Sequence, residues 1–68
     1  MTVIQKVRQA ISSLTGVQAS LQTFAIQSQD PQAKESFKKG AEETRLIITN
    51  LEHRVKQMEE EEPQYKPP

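Results

Sequence analysis

The sequence contains no cysteine and no tryptophan, and only one tyrosine and two phenylalanines. Without cysteine the chain can form neither a disulfide framework nor a thiolate site. Positive and negative residues number nine each, so the basic surplus typical of nucleic-acid-binding proteins is missing. No apolar run approaches the roughly 20 residues of a membrane-spanning helix, and no signal-peptide pattern is present. We therefore expect one small cytoplasmic domain that does not bind nucleic acid.

What the sequence does contain is a regular apolar pattern in each half. In the first half, spacings of four and three alternate as in an amphipathic helix, through Val3, Val7, Ala10, Leu14, Val17, Leu21 and Phe24. The stripe is widened by three residues one position beside this series: Ile4, Ile11 and Ala25. The second half repeats the pattern through Phe37, Ala41, Thr44, Ile48, Leu51, Val55 and Met58.

The break between the two patterns is marked by Asp30 and Pro31. An Asp at this position can accept hydrogen bonds from the first turn of the following helix, and proline suits the first helical position. Proline also disfavours helical conformation in the residue before it. We predict a helix over 2–28, a hinge at 29–30 and a second helix over 31–60.

The predicted fold class is all-α, an antiparallel two-helix hairpin over residues 1–62. A connection of two or three residues between long helices forces this arrangement, and it brings the two apolar patterns together from end to end. The acidic run from Glu59 to Glu62 would then lie beside the start of the first helix, where Lys6 and Arg8 can offset its charge.

A hairpin of this size is expected to need a partner. Chains shorter than about 70 to 80 residues rarely stabilise a single core without a disulfide, a metal or a second subunit. We predict that two hairpins pack as a homodimeric four-helix bundle; a larger assembly and a marginal monomer are the alternatives. The predicted self-association core consists of Val7, Leu14, Leu21, Phe24, Phe37, Ile48, Leu51 and Val55.

The chain ends in a polar, proline-rich tail over residues 63–68. Its single tyrosine could anchor the tail in a partner protein, because a polar extension that keeps the only tyrosine of the chain could dock in a groove. A solvated end of the chain is the alternative interpretation. The candidate partner-binding residues are Pro63, Gln64, Tyr65 and Lys66.

Residue types that carry chemistry are present but do not form a site. His53 is the only histidine and has no second ligand at metal-binding spacing. Glu42 and Glu43 are neighbours in sequence, so on a helix they do not converge on one point. The serines lack a base, and Gly16 and Gly40 are isolated glycines without a phosphate-loop pattern. We predict no catalytic, cofactor or metal site, and no enzymatic activity.

Binding to a membrane surface is the rival interpretation of the first helix. No charged residue occurs from Gln9 to Gln29, and the polar positions there are Gln, Ser, Thr and Gly. Helices of this composition sense lipid packing by inserting their apolar face at the membrane interface. The matching pattern in the second half argues for self-association instead, because it offers the same apolar residues a partner within the chain.

Several segments together resemble a family of small uncharacterised proteins of endospore-forming Bacilli, the domain of unknown function numbered 1657. They are the start Met1-Thr2-Val3, the hinge 27–31 with Ala33-Lys34 after it, the segment 51–55 and the ending 61–66. Genes for such proteins often lie beside genes for spore-membrane channel proteins. The resemblance therefore implies a role in spore formation and a location in the forespore or spore interior, and it implies no catalytic or ligand residues.

Overall fold

The computed structural model of the protein describes residues 2–61. Two helices, α1 (Thr2–Gln27) and α2 (Pro31–Glu61), pack along each other. They form an antiparallel hairpin measuring 49 × 14 × 14 Å. The predicted all-α hairpin is confirmed. The C-terminal end of each helix differs from the prediction by one residue. The first helix ends at Gln27 rather than at 28, and the second ends at Glu61 rather than at 60. The predicted tail lies outside the described residues.

The start of α2 is fixed by the cap that the sequence predicts. The backbone N–H of Ala33 donates to Asp30 Oδ2 over 3.1 Å, which satisfies a donor that has no partner within the helix. The N–H of Lys34 donates to the Asp30 carbonyl over 2.9 Å and forms the first helical hydrogen bond. Pro31 occupies the first helical position, where its missing N–H leaves no partner unsatisfied.

The end of α1 is fixed by two donors that reach its last carbonyls. The N–H of Ser28 donates to the Phe24 carbonyl over 2.8 Å, so the helical bonding pattern continues one residue past Gln27. Lys34 Nζ, on α2, donates to the Ala25 carbonyl over 2.7 Å. A cation at a helix C-terminus is favourable because it faces the negative end of the helix dipole. This lysine therefore ties the two helices together beside the turn.

The core of the hairpin is thin and contains small residues near the turn. Leu21 lies against the α2 backbone at Gly40, where an added Cβ would approach its Cδ1 to 3.4 Å. Two alanines, one on each helix, are buried nearby and allow close approach of the helices. Among the described residues the buried side chains are Ile4, Ala25, Ala41, Ile48 and Val55.

The face of α1 that packs on α2 is rotated from the main series in the sequence. Ile4 and Ala25, which the pattern places on the flank of the stripe, are buried, whereas Val3, Val17 and Phe24 of the main series are exposed. A stripe three residues wide can turn either edge toward its neighbour. With alanine on the packed edge, the helices come close together, and the larger side chains remain outside the contact.

We expect Gly16→Ala to raise the free energy of unfolding by about 0.5 to 1 kcal/mol, because glycine is a poor residue in a helix interior. A Cβ at this position meets no atom within 4 Å, so the substitution creates no clash. Urea unfolding followed by circular dichroism measures the change. Gly40→Ala is the comparison and should gain at least as much, since its Cβ would meet Leu21 Cδ1 at 3.4 Å, an ordinary van der Waals contact. An equal decrease in the free energy of unfolding in both variants would contradict the assigned geometry.

Candidate functional site

The hairpin has one predominantly apolar side, which we call the apolar face. Val17, Phe24 and Ile47 are exposed there, with 48%, 46% and 48% of their surface accessible. Phe24 and Phe37 show that the two helices contribute to the same side, because their rings meet edge to face with centroids 5.5 Å apart. Four half-buried residues complete the apolar face: Leu14, Leu21, Phe37 and Leu51. The face follows both helices along the hairpin.

The opposite side is lined by charged and amide side chains, and we call it the polar side. Two shallow grooves run along it between the helices. One is lined near the open end of the hairpin by Arg8, Ile11, Glu52, Val55, Lys56 and Glu59. The other is lined nearer the turn by Gln18, Gln22, Ala25, Ile26, Lys38, Ala41, Glu42 and Arg45. One side of the hairpin is thus predominantly apolar, and the other combines charged and amide side chains with apolar ones such as Ile11 and Ile26.

Ion pairs occur on the polar side. Arg8 pairs with Glu59 across the two helices, so the acidic end of α2 meets the positive charge that the sequence places at the start of α1. Arg45 pairs with Glu42 one turn away on α2. A hydrogen bond from Arg45, followed by its charge, lowers the pKa of the Glu42 carboxyl, and the same contact raises the pKa of Arg45. Both groups are solvated, so they contribute little to stability.

The eight residues of the predicted self-association core fall into three environments. Ile48 and Val55 are buried between the helices of one hairpin. Phe24 is exposed at the edge of the apolar face. The remaining five are half-buried, with part of each side chain open on the single hairpin: Val7, Leu14, Leu21, Phe37 and Leu51. Their association with a second copy stays a prediction, and the tail residues Pro63, Gln64, Tyr65 and Lys66 lie outside the described residues.

The chemistry-bearing residues are dispersed over the described part of the chain. His53 is exposed on α2. The hydroxyls of Thr15 and Thr44 donate to backbone carbonyls one turn earlier, and the Ser28 hydroxyl donates to the Asp30 carbonyl. Within residues 2–61, no group of three or more His, Cys, Asp or Glu side chains could hold a metal ion. Neither described helix has a stretch apolar enough to cross a bilayer.

One feature of the apolar face is absent from the sequence prediction. Four apolar residues of α1 that stay exposed recur every seven positions: Val3, Ala10, Val17 and Phe24. The heptad spacing in the sequence indicates that these four residues share one face of α1. The spacing alone does not tell which edge of the broad apolar stripe stays exposed. The packing of the two alanines near the turn decides it.

Comparison with known proteins identifies one family. The sequence profile described as "Protein of unknown function (DUF1657)" matches residues 7–55, which include most of α1, the whole turn and most of α2. No curated protein and no solved structure matches the chain. The match covers the apolar face except Val3, and both grooves of the polar side except Lys56 and Glu59.

Proposed function

We propose, starting from the fact that this chain belongs to the DUF1657 family, that it is a non-catalytic structural or adaptor protein that associates with a second copy of itself. The apolar face is the observation that carries the proposal. Two hairpins that pack these faces together form a four-helix bundle, and the polar sides of both hairpins remain in water. The proposed unit is therefore a homodimer.

The first support is the small size of the core within one hairpin. Two of the five buried side chains among the described residues are alanines, and an alanine buries little apolar surface. The chain has no cysteine for a disulfide. A core this thin leaves little free energy to balance the conformational entropy that the chain loses on folding. Covering Val17, Phe24 and Ile47 adds the apolar burial that is missing.

The second support is the size of the apolar side. The hairpin extends 49 Å along the helices and 14 Å across them, so each side projects a rectangle of roughly 700 Å². Standard protein interfaces bury about 800 Å² on each partner. A second hairpin has the same length and the same pattern, so it can cover the face from end to end. A two-fold arrangement also lets each copy supply the same residues to the other.

The biological part of the proposal comes from the family resemblance. We propose that the dimer serves spore formation in the forespore or spore interior, because the family resemblance implies genes that often lie beside those for spore-membrane channel proteins. A dimer offers two polar sides and two copies of the tail over 63–68, so it can join two partner molecules at once. No catalytic step forms part of this function.

Thermal unfolding at several protein concentrations tests the proposal. If folding and association are coupled, the midpoint rises with concentration, because mass action favours the associated state. A midpoint independent of concentration would contradict self-association. Flotation with highly curved neutral vesicles examines the membrane alternative in parallel. If the helicity depends on the presence of vesicles and not on protein concentration, the result would favour a membrane-bound hairpin over the dimer.

A further inference from the structure

We infer that the second copy lies head to tail, with the turns of the two hairpins at opposite ends of the bundle. This inference rests on the proposed self-association and specifies its geometry. The two-fold axis then runs between the two hairpins at the level of their middle, so α1 packs on α1 of the copy and α2 on α2 of the copy, each pair antiparallel. Two rows of residues, one on each helix, carry the inference.

The first row is the exposed column of α1, formed by Val3, Ala10, Val17 and Phe24. It is symmetric about a point between residues 13 and 14. An axis at that level places Val3 opposite the copy's Phe24 and Ala10 opposite its Val17. Each pair joins a smaller side chain to a larger one, which is the combination that fills the space between facing helices evenly.

The second row runs along α2 at spacings of four, three and four, through Glu43, Ile47, Asn50 and Arg54. It is symmetric about a point between residues 48 and 49. An axis at that level places Glu43 opposite the copy's Arg54, and the same pair forms again on the other side of the axis. Both residues are exposed. Within the described residues, neither takes part in an ion pair.

The two rows require the same axis. Contacts within the hairpin set the level of one helix against the other: Phe24 lies beside Phe37, and Leu21 lies against Gly40. In both pairs the residue numbers sum to 61, so the level of residue 48 on α2 corresponds to residue 13 on α1. The two centres therefore agree within about one residue, or about 1.5 Å along the helix.

The arrangement with both turns at one end lacks these matches. Glu43 would lie at the level of the copy's Glu43, and Arg54 at the level of its Arg54, so opposite charges would not face each other. Phe24 and Phe37 of both copies would be at the same end, and the other end would have smaller residues such as Val3 and Ala10. The head-to-tail arrangement distributes both charge and bulk evenly.

A distance measurement between the two turns distinguishes the arrangements. Gln29 is exposed in the turn, and the chain has no cysteine, so Gln29→Cys provides one site for a nitroxide label. About sixteen residues separate it from the level of the axis, which is about 24 Å along the helix in each copy. The head-to-tail dimer therefore gives a distance of about 48 Å between the two labels by pulsed electron paramagnetic resonance. Turns at one end give about 10 to 20 Å, since neighbouring helices lie 8 to 10 Å apart.

The outcomes separate the inference from the proposed function. A dimer with the short distance overturns the head-to-tail geometry and leaves self-association intact. If the labelled chain has the mass of a monomer and gives no spin–spin distance between copies, both the head-to-tail geometry and self-association are overturned. Unlabelled chain mixed with labelled chain serves as the control, because it must reduce the signal between copies without changing the distance.

Charge reversal provides a second, independent readout. Glu43→Arg and Arg54→Glu should each raise the dimer dissociation constant by about twofold to thirtyfold, as expected for two exposed ion pairs lost. The double variant restores both pairs with the charges exchanged, so it should return close to the unmodified value. Glu52→Arg, on the polar side, is the matched control and should leave the constant unchanged. Additive weakening in the double variant would overturn the inference.

Discussion

Ile48→Asp is expected to abolish the helical circular dichroism signal and the association of the chain together. Ile48 is buried between the helices, and an aspartate there would have to ionise without a partner in an apolar environment. Burial of an unpaired charge costs several kcal/mol, which exceeds the stability that a core of this size supplies. Far-ultraviolet circular dichroism and sedimentation velocity measure the two losses.

The neighbouring Thr49→Asp variant is the matched control. Thr49 is exposed on the same helix, and threonine and aspartate have similar helix propensities, so this variant should remain helical and associated. Leu14→Asp, at a half-buried position of α1, should behave like Ile48→Asp. If either core variant stays fully helical and associated, the assigned core is wrong.

Val17→Lys is expected to dissociate the dimer, with a rise of roughly hundredfold or more in the dissociation constant. In the single hairpin a lysine at this half-exposed position can extend its ammonium group into water. In the proposed bundle the same group would be buried against the second copy, once from each chain. Analytical ultracentrifugation over a concentration series measures the constant.

The control for this variant lies on the polar side. Ile26 is 79% exposed and lines the groove near the turn, away from the apolar face. Ile26→Lys introduces the same charge into the same helix, and we expect no change in association. Equal weakening by both variants would indicate a general loss of stability, and no weakening by Val17→Lys would remove this face from the interface.

Much of the fold can be predicted from local chemistry. The cap of α2 follows from Asp30 and Pro31, and the antiparallel packing follows from the short turn between two long apolar patterns. The meeting of Phe24 and Phe37 follows from folding the chain at this turn, and the structure confirms it with an edge-to-face contact. These features depend on neighbours in sequence or on one hinge, so the sequence determines them directly.

The orientation of α1 about its own axis could not be predicted in the same way. Val3 and Ile4 are adjacent and both apolar, and the pattern includes both in one stripe. Only the packing of the two helices decides that Ile4 is buried and Val3 is exposed. For the same reason, the composition of the apolar face becomes clear only when both helices are placed together.

Sedimentation equilibrium of the unmodified chain over a wide range of concentrations tests the proposed dimer most directly. We predict a particle of about twice the 7.7 kDa chain mass, which loses helicity as it dissociates on dilution. A fully helical particle of 7.7 kDa at every concentration would show that one hairpin is stable with its apolar face in water, and would contradict the account.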